Sequence, residues 1–221
     1  MYVPEHFLES RVDVLQGLID RHPLATLVAS TAAGLTANHI PMQGLLRAEG
    51  GGLLRGHIAR ANPLWRELAP EAAVLVIFTG FDHYISPGWY PSKREHGKVV
   101  PTWNYAAVHL QGAIQFIEDS DWLMTLVSSL TDQHEHRRAD RWHTSDAPSD
   151  YMSGMLRAII GFEIRISSII GKFKGSQNRT PADRAGAIRG LQADGQVATA
   201  IAELVPSQDL PAKENRKQAR E

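Results

Sequence analysis

LATLVASTAAGLTANHIPM, residues 24–42, reads as two β-strands folded back to back. Leu24 to Ser30 is apolar and β-branched, Thr31-Ala32-Ala33-Gly34 supplies a turn, and Leu35 to Met42 returns alongside. A hairpin here makes the chain mainly β, provided that more strands follow. They do: Leu53 to Ala59, the continuous apolar run Ala73 to Thr79, Lys98 to Val108 and Leu110 to Ile117 bring the expected strands of the first half to about six. A turn at Glu49-Gly50-Gly51-Gly52 separates the third strand from the hairpin. Far downstream, Phe162, Ile164 and Ile166 alternate with Glu163 and Arg165, the pattern of a half-buried strand that closes the sheet.

The expected helices lie around these strands. Ser10-x-x-Asp13 predicts a cap for a helix through Val12, Leu15, Leu18 and Ile19 that stops at His22-Pro23. Asn62-Pro63 opens a short helix over Leu64 to Leu68. Ser120 is expected to cap a helix whose Trp122, Leu123, Leu126, Val127 and Leu130 form one apolar stripe, and Pro148 opens another through Tyr151, Met155, Leu156 and Ile159. A polar loop rich in His and Arg is expected between them, and within it His134 and His136 are too closely spaced to share a helical face as metal ligands. Short helices are predicted over Pro181 to Leu191 and Val197 to Leu204. Antiparallel strands first and helices late favour a barrel with peripheral helices over a layered α/β sheet. The expected organisation is one domain over residues 1–205 and a disordered polar tail over 206–221.

The 23 basic and 24 acidic side chains leave a net charge of −1, so no strong field attracts nucleic acid or anionic lipid. No helix-turn-helix pattern or basic recognition helix is legible, which argues against direct DNA binding. The absence of cysteine removes disulfides and thiolate chemistry. Neither a signal peptide nor an apolar run of membrane-spanning length is evident, which predicts a cytoplasmic, unprocessed protein without membrane contact. The motifs GxGxxG, HExxH, GxSxG and the P-loop are all missing from the sequence.

Four segments hold more unusual residues than packing requires. In Asn38-His39-Ile40-Pro41 a proline inside a strand removes a ladder donor and forces an edge or a bulge, whose free backbone groups can meet a flat polar ligand; an ordinary edge strand is the alternative. Arg55-Gly56-His57-Ile58-Ala59-Arg60-Ala61-Asn62-Pro63 delivers two arginines and a histidine to a helix start, a pattern suited to a phosphate, although Asn62 serving as a cap beside solvated arginines explains it too. Tyr84 to Tyr105 packs two of the five tryptophans, Trp89 and Trp103, and three of the five tyrosines into one loop with Lys93 and Lys98, as an interface, a ligand wall or core filling. Lys172 to Arg179, with Lys174, Gln177 and Arg179, sets several donors in a row.

These segments carry a resemblance to a known family. Met1-Tyr2-Val3-Pro4-x-His6-Phe7, Asn38-His39-Ile40-Pro41, Gly56-His57-x-Ala59-Arg60-Ala61-Asn62-Pro63, Ser86-Pro87-x-Trp89-Tyr90-Pro91-Ser92-Lys93, Gly97 to Tyr105 and Ser176-Gln177-Asn178-Arg179 together make the sequence similar to the PaiB-type FMN-binding negative transcriptional regulators. The resemblance implies a split β-barrel related to pyridoxamine-phosphate-oxidase and flavin-reductase-like proteins, with two subunits forming flavin sites at a homodimer interface. On that basis Arg60, Asn62 and the helix start are expected to hold the FMN phosphate, with Arg55 or His57 nearby. The strand Asn38, His39, Ile40, Pro41 is expected to lie along the isoalloxazine edge, with the aromatic loop supplied by the partner subunit. A flavin-binding regulator is the first expectation, an FMN-dependent oxidoreductase the second, and a haem-binding barrel the third.

Overall fold

A computed structural model describes residues 1–47 and 51–205. Part of the expected turn at residues 49–52 and the whole tail 206–221 lie outside the described residues. In chain order the elements are β1 (Leu8–Glu9), α1 (Val12–Arg21), β2 (Leu24–Thr31), β3 (Gly34–Leu46), β4 (Gly52–Ala59), α2 (Leu64–Glu67), β5 (Ala72–Ile85), α3 (Ser92–Glu95), β6 (Thr102–Ile117), α4 (Ser120–Glu135), α5 (Ser149–Arg157), β7 (Ile159–Lys174), α6 (Pro181–Ala193) and α7 (Ala198–Leu204). The seven strands form one sheet in the order β1-β7-β4-β3-β2-β5-β6, and an added β7–β6 pairing closes it into a barrel.

The expected hairpin is β2 and β3, in register from Leu24↔Pro41 to Thr31↔Gly34. Its turn uses Gly34 at φ +114°, a conformation that side chains with a Cβ rarely adopt. The closing strand β7 buries Ile160, Phe162 and Ile164, as its alternation predicts.

Contacts divide the chain into two compact units, Met1–Gly80 with Ala106–Phe173, and Phe81–Tyr105 with Lys174–Glu221; β5 and β6 run through both. The first unit holds the barrel, whose core includes Leu27, Met42, Leu54, Phe78, Leu110 and Phe162. Its α1 is tied to β3 by Gln16, whose Nε2 donates to the Gly44 carbonyl at 2.9 Å and whose Oε1 accepts the Leu46 N–H at 2.9 Å.

The second unit gathers Ile85, Tyr90, Leu191 and Leu204. Two buried polar groups hold it together. Asn104, with no exposed surface, donates Nδ2 to Ser176 Oγ at 2.9 Å and to the Leu204 carbonyl at 2.7 Å. Asp183 accepts from Ser92 Oγ at 2.6 Å and from its N–H at 3.1 Å. Burial pushes the Asp183 carboxyl up, but the donors on Ser92 and Thr180, with the Arg179 charge, outweigh it and hold the group below its ordinary value.

Several local expectations are corrected. Helix α1 starts at Arg11 without a side-chain cap, and the Arg11 N–H and guanidinium are both taken by Glu9. Helix α4 is capped by Asp119, not Ser120: the Asp119 carboxylate, one position earlier, accepts the Trp122 N–H at 2.7 Å. Lys98 to Val108 and Leu110 to Ile117 are not two strands, since β6 runs unbroken from Thr102 to Ile117 with His109 inside it. Six strands do precede α4, but one of them is the two-residue β1, too short to show a pattern. His134 belongs to the last turn of α4, not to the loop.

Helix α4 lies against the outer face of β7 because residue 161 is glycine: a Cβ there would stand 2.3 Å from the Trp122 ring and 2.9 Å from Leu123. Gly161→Ala is expected to destabilise the fold by about 1–3 kcal/mol through this clash. Urea denaturation measures it, and an unchanged midpoint contradicts the packing.

Candidate functional site

The site starts from a missing N–H. Residues 34–41 of β3 pair with β2, whereas residues 42–46 pair with β4, from Met42↔Gly56 to Leu46↔Gly52. The exchange of partners falls at Pro41, which has no hydrogen to donate to β4. On the far side β4 stays paired with β7 through His57↔Gly161, Ile58↔Ile160 and Ala59↔Ile159. Beyond Pro41 and His57 the strands β3 and β4 therefore carry no ladder between them, and the barrel is split there. The expected edge is present, and it belongs to half of an otherwise interior strand.

One side-chain pair spans the split: Asn62 Nδ2 donates to Asn38 Oδ1 at 2.8 Å. The other end of the same amide accepts the Leu64 N–H at 3.0 Å, so Asn62 also caps α2. His39, on the exposed face, has Nδ1 3.1 Å from Thr26 Oγ1, its cross-strand neighbour. Ile40 points into the core.

Both predicted arginines already have carboxylate partners. Arg55 Nε bonds Glu163 Oε1 at 2.9 Å, directly opposite it in the β4–β7 register. Arg60 Nη1 reaches Glu118 Oε2 at 2.6 Å, and its Nε donates to the Arg157 carbonyl at 2.7 Å. Its own carbonyl accepts the Trp65 indole N–H at 3.0 Å. A phosphate at Arg60 must compete with Glu118, whose side chain is 59% exposed and so can swing into water.

His57 and Pro41 line a cleft of about 350 Å³ together with Val127, Leu130, Thr131, His134, Glu135 and Trp142. The outer wall is α4, held to β3 by Ser129 Oγ donating to Gln43 Oε1 at 3.0 Å. Trp142 is held over the end of α4 by its N–H, which donates to Glu135 Oε2 at 3.3 Å. Within the cleft wall, His57 Nδ1 is buried without a hydrogen-bond partner, and burial pushes this imidazole below its ordinary value of 6.5. Sequence reading had marked Pro41 and His57 but not the α4 residues, which showed only as an apolar stripe.

The second unit holds the remaining predicted residues. Trp89 packs on α6, where a Cβ at Gly190 would come within 2.0 Å of its ring, and Arg179 lies 5.0 Å from the Tyr90 ring centroid. Lys174 Nζ donates to Thr102 Oγ1, and Gln177 Oε1 accepts the Gly175 N–H at 2.7 Å. Lys93 and Lys98 are exposed, and Trp103, 53% exposed, meets Tyr84 edge to face at 6.2 Å. Part of the aromatic loop is thus core, through Trp89 and Tyr90, and part is surface.

Antiparallel strands closed by β6 and β7 and parted at Pro41, with helices outside, define a split β-barrel of the flavin-binding class. The FAD and heme binding protein from Mycobacterium smegmatis shares this fold at a TM-score of 0.54, with 19% sequence identity over 76% of this chain and 73% of that one. The chain belongs to the FMN-binding family whose model, described as "Putative FMN-binding domain", matches residues 1–168. Among its relatives, the protease synthase and sporulation protein PAI 2 of Bacillus subtilis (strain 168) is 31% identical over 192 residues, covering 87% of this chain and 89% of that one. An uncharacterized protein of Emericella nidulans is 34% identical over 229 residues, covering 87% and 90%. The protein is a flavin-binding protein, with FMN the cofactor assigned by its family. Among the described residues no helix is long and apolar enough to cross a membrane.

Two partly buried imidazoles, His57 in the cleft wall and His109 within β6, give the fold a pH signature. His57 and His109 both have folded values lowered by burial, so their contribution to stability is complete above about pH 6.5 and is lost as pH falls through the lowered values. Urea midpoints should fall between pH 7.5 and pH 5, and His57→Leu should flatten part of that slope. An identical slope in the variant would show that His57 is not the titrating group.

Proposed function

We propose that the chain is a homodimeric, FMN-binding regulatory protein, with the flavin at the interface between copies and its ring system along the β3 edge at Asn38, His39, Ile40 and Pro41. The observation that supports this reading most directly is the parting of β3 and β4 at Pro41 and His57. It leaves backbone groups beside a cleft, where a flat heterocycle with polar edges finds both hydrogen bonds and apolar contact. These residues fit the group, with Asn62 holding Asn38 in place and Arg60 close by in the chain as the phosphate ligand. A bound flavin supplies electron-transfer chemistry; this chain's residues supply position and electrostatics.

The helix start at α2 is only one turn long, so the phosphate reading rests on Arg60 exchanging Glu118 for the ligand. Two phosphate oxygens offer the guanidinium a bidentate partner, against one carboxylate oxygen in the present pair. Tyr84, Val100 and Trp103 support the dimer, because a second copy would cover these exposed apolar side chains. Direct DNA reading has no support in α4, the longest helix among the described residues, which carries Asp121, Asp132 and Glu135 and neither Lys nor Arg.

Arg60→Ala is expected to weaken FMN by about 1.5–3 kcal/mol and to leave riboflavin, which lacks the phosphate, nearly unchanged. Glu118→Gln, which releases Arg60, should tighten FMN and not riboflavin. Flavin fluorescence titrations measure both, and equal losses for the two flavins would move the phosphate away from Arg60.

Trp103→Glu is expected to shift the protein from dimer to monomer in sedimentation at micromolar concentration. A wild-type monomer would overturn the interface.

A further inference from the structure

Asn62 and Asn38 join the two sides of the split, and their chemistry fixes which way both amides face. The Leu64 N–H can only donate and meets the Asn62 side chain at 3.0 Å, so that end of the amide is the oxygen. The other end, Nδ2, therefore faces Asn38 at 2.8 Å, and the Asn38 atom that accepts from it is Oδ1. Asn38 Nδ2 is left over. Among the described residues nothing accepts from it, and it is not buried, so it stands in the opening as a donor whose direction is set from the start of α2.

The backbone beside it faces the same opening. The Met42 N–H donates to the Pro23 carbonyl at 2.9 Å and the Arg47 N–H to the Gly51 carbonyl at 2.9 Å. Even-numbered residues of β3 thus turn their backbone groups towards β2, and odd-numbered ones turn theirs towards β4. His39 is odd-numbered and lies where the β4 ladder has ended, so its N–H and carbonyl both point into the split without a strand to pair with. The next odd position is Pro41, which offers a carbonyl and no donor.

We propose that Asn38, oriented by Asn62, is a specificity-determining residue of the flavin site, its Nδ2 donating to one of the two carbonyl oxygens that flank the ring N3–H. The inference rests on the flavin reading above and deepens it. That edge of the ring presents acceptor, donor, acceptor, and calls for donor, acceptor, donor in return. His39 supplies one donor and one acceptor, Pro41 cannot supply the second donor, and Asn38 Nδ2 does. Reduction of a flavin adds electron density to these oxygens, and a hydrogen bond to a charged acceptor is roughly twice as strong as one to a neutral acceptor. Asn38 therefore favours the reduced over the oxidised flavin and raises the potential of the bound group.

The potentials of bound FMN and bound riboflavin are measured anaerobically against a reference dye, and the affinities of the oxidised flavins by fluorescence quenching. Asn38→Leu, close to asparagine in size, removes the donor. Its preference for reduced over oxidised flavin should fall about tenfold, which lowers the potential of a two-electron couple by about 30 mV. The shift should be the same for FMN and riboflavin, since the ring is involved and the phosphate is not. Asn38→Thr takes the place of Asn38→Leu if thermal melting shows that the latter does not fold. Asn62→Ser keeps a hydroxyl to cap the Leu64 N–H but is too short to hold Asn38, so it should lower the potential in the same direction by a smaller amount.

A merely structural Asn38 would weaken oxidised and reduced flavin alike and leave the potential where it is in the wild type; that result overturns the proposal. An unshifted Asn62→Ser beside a shifted Asn38→Leu overturns the orienting role of Asn62. Wild-type protein that takes up neither FMN nor riboflavin overturns the flavin reading and the donor role with it, whereas flavin binding with an unshifted Asn38→Leu potential counts against Asn38 alone.

Discussion

Pro41 cannot donate a hydrogen bond, and much of the first unit is arranged around that fact. A proline in an interior strand is normally excluded because the ladder on one side must break. Here the break coincides with a change of partner, so β3 serves β2 up to Pro41 and β4 from Met42 onward. The cost is confined to one junction, and the Met42 N–H finds the Pro23 carbonyl at 2.9 Å. What results is a barrel that is continuous through β7, β4 and the lower half of β3, yet open between Asn38 and Asn62.

Stability and function pull in different directions at that opening. The Asn62–Asn38 bond and the Arg60–Glu118 pair tie together segments that the sheet itself leaves separate. Both are polar and partly solvated, so they hold the edges without sealing them. The unsatisfied His57 nitrogen is the opposite case, a buried group with nothing to bond. Gly161 makes this arrangement possible, since only a residue without a Cβ lets Trp122 and Leu123 bring α4 so close to β7.

How much of this could be read in advance depends on the range of the interaction. The hairpin, the closing strand and the proline edge were legible because they are local patterns of period two and one residue with a fixed chemical defect. The cap of α4 was misplaced by one position because Asp119 and Ser120 are both good caps and only the geometry decides between them. The partner of Arg60 was invisible, as Glu118 is 58 positions away and nothing in either neighbourhood announces the pair. The same applies to α4 as a cleft wall: the apolar stripe marks a buried face and does not say what it is buried against. In the aromatic segment the sequence could not separate Tyr90, which is core, from Trp103, which is surface.

The second unit is stitched from two stretches far apart along the chain. Ser92 meets Asp183 across 91 positions, and Asn104 meets Leu204 across 100. Closing loops of that length is slow, and the contacts that reward it come only after both stretches have been synthesised. The barrel sequence up to β7 can therefore assemble on the ribosome while Ile85, Trp89 and Tyr90 still wait for α6 and α7. During that interval Ile85, Trp89 and Tyr90 lack the partners that cover them in the folded chain.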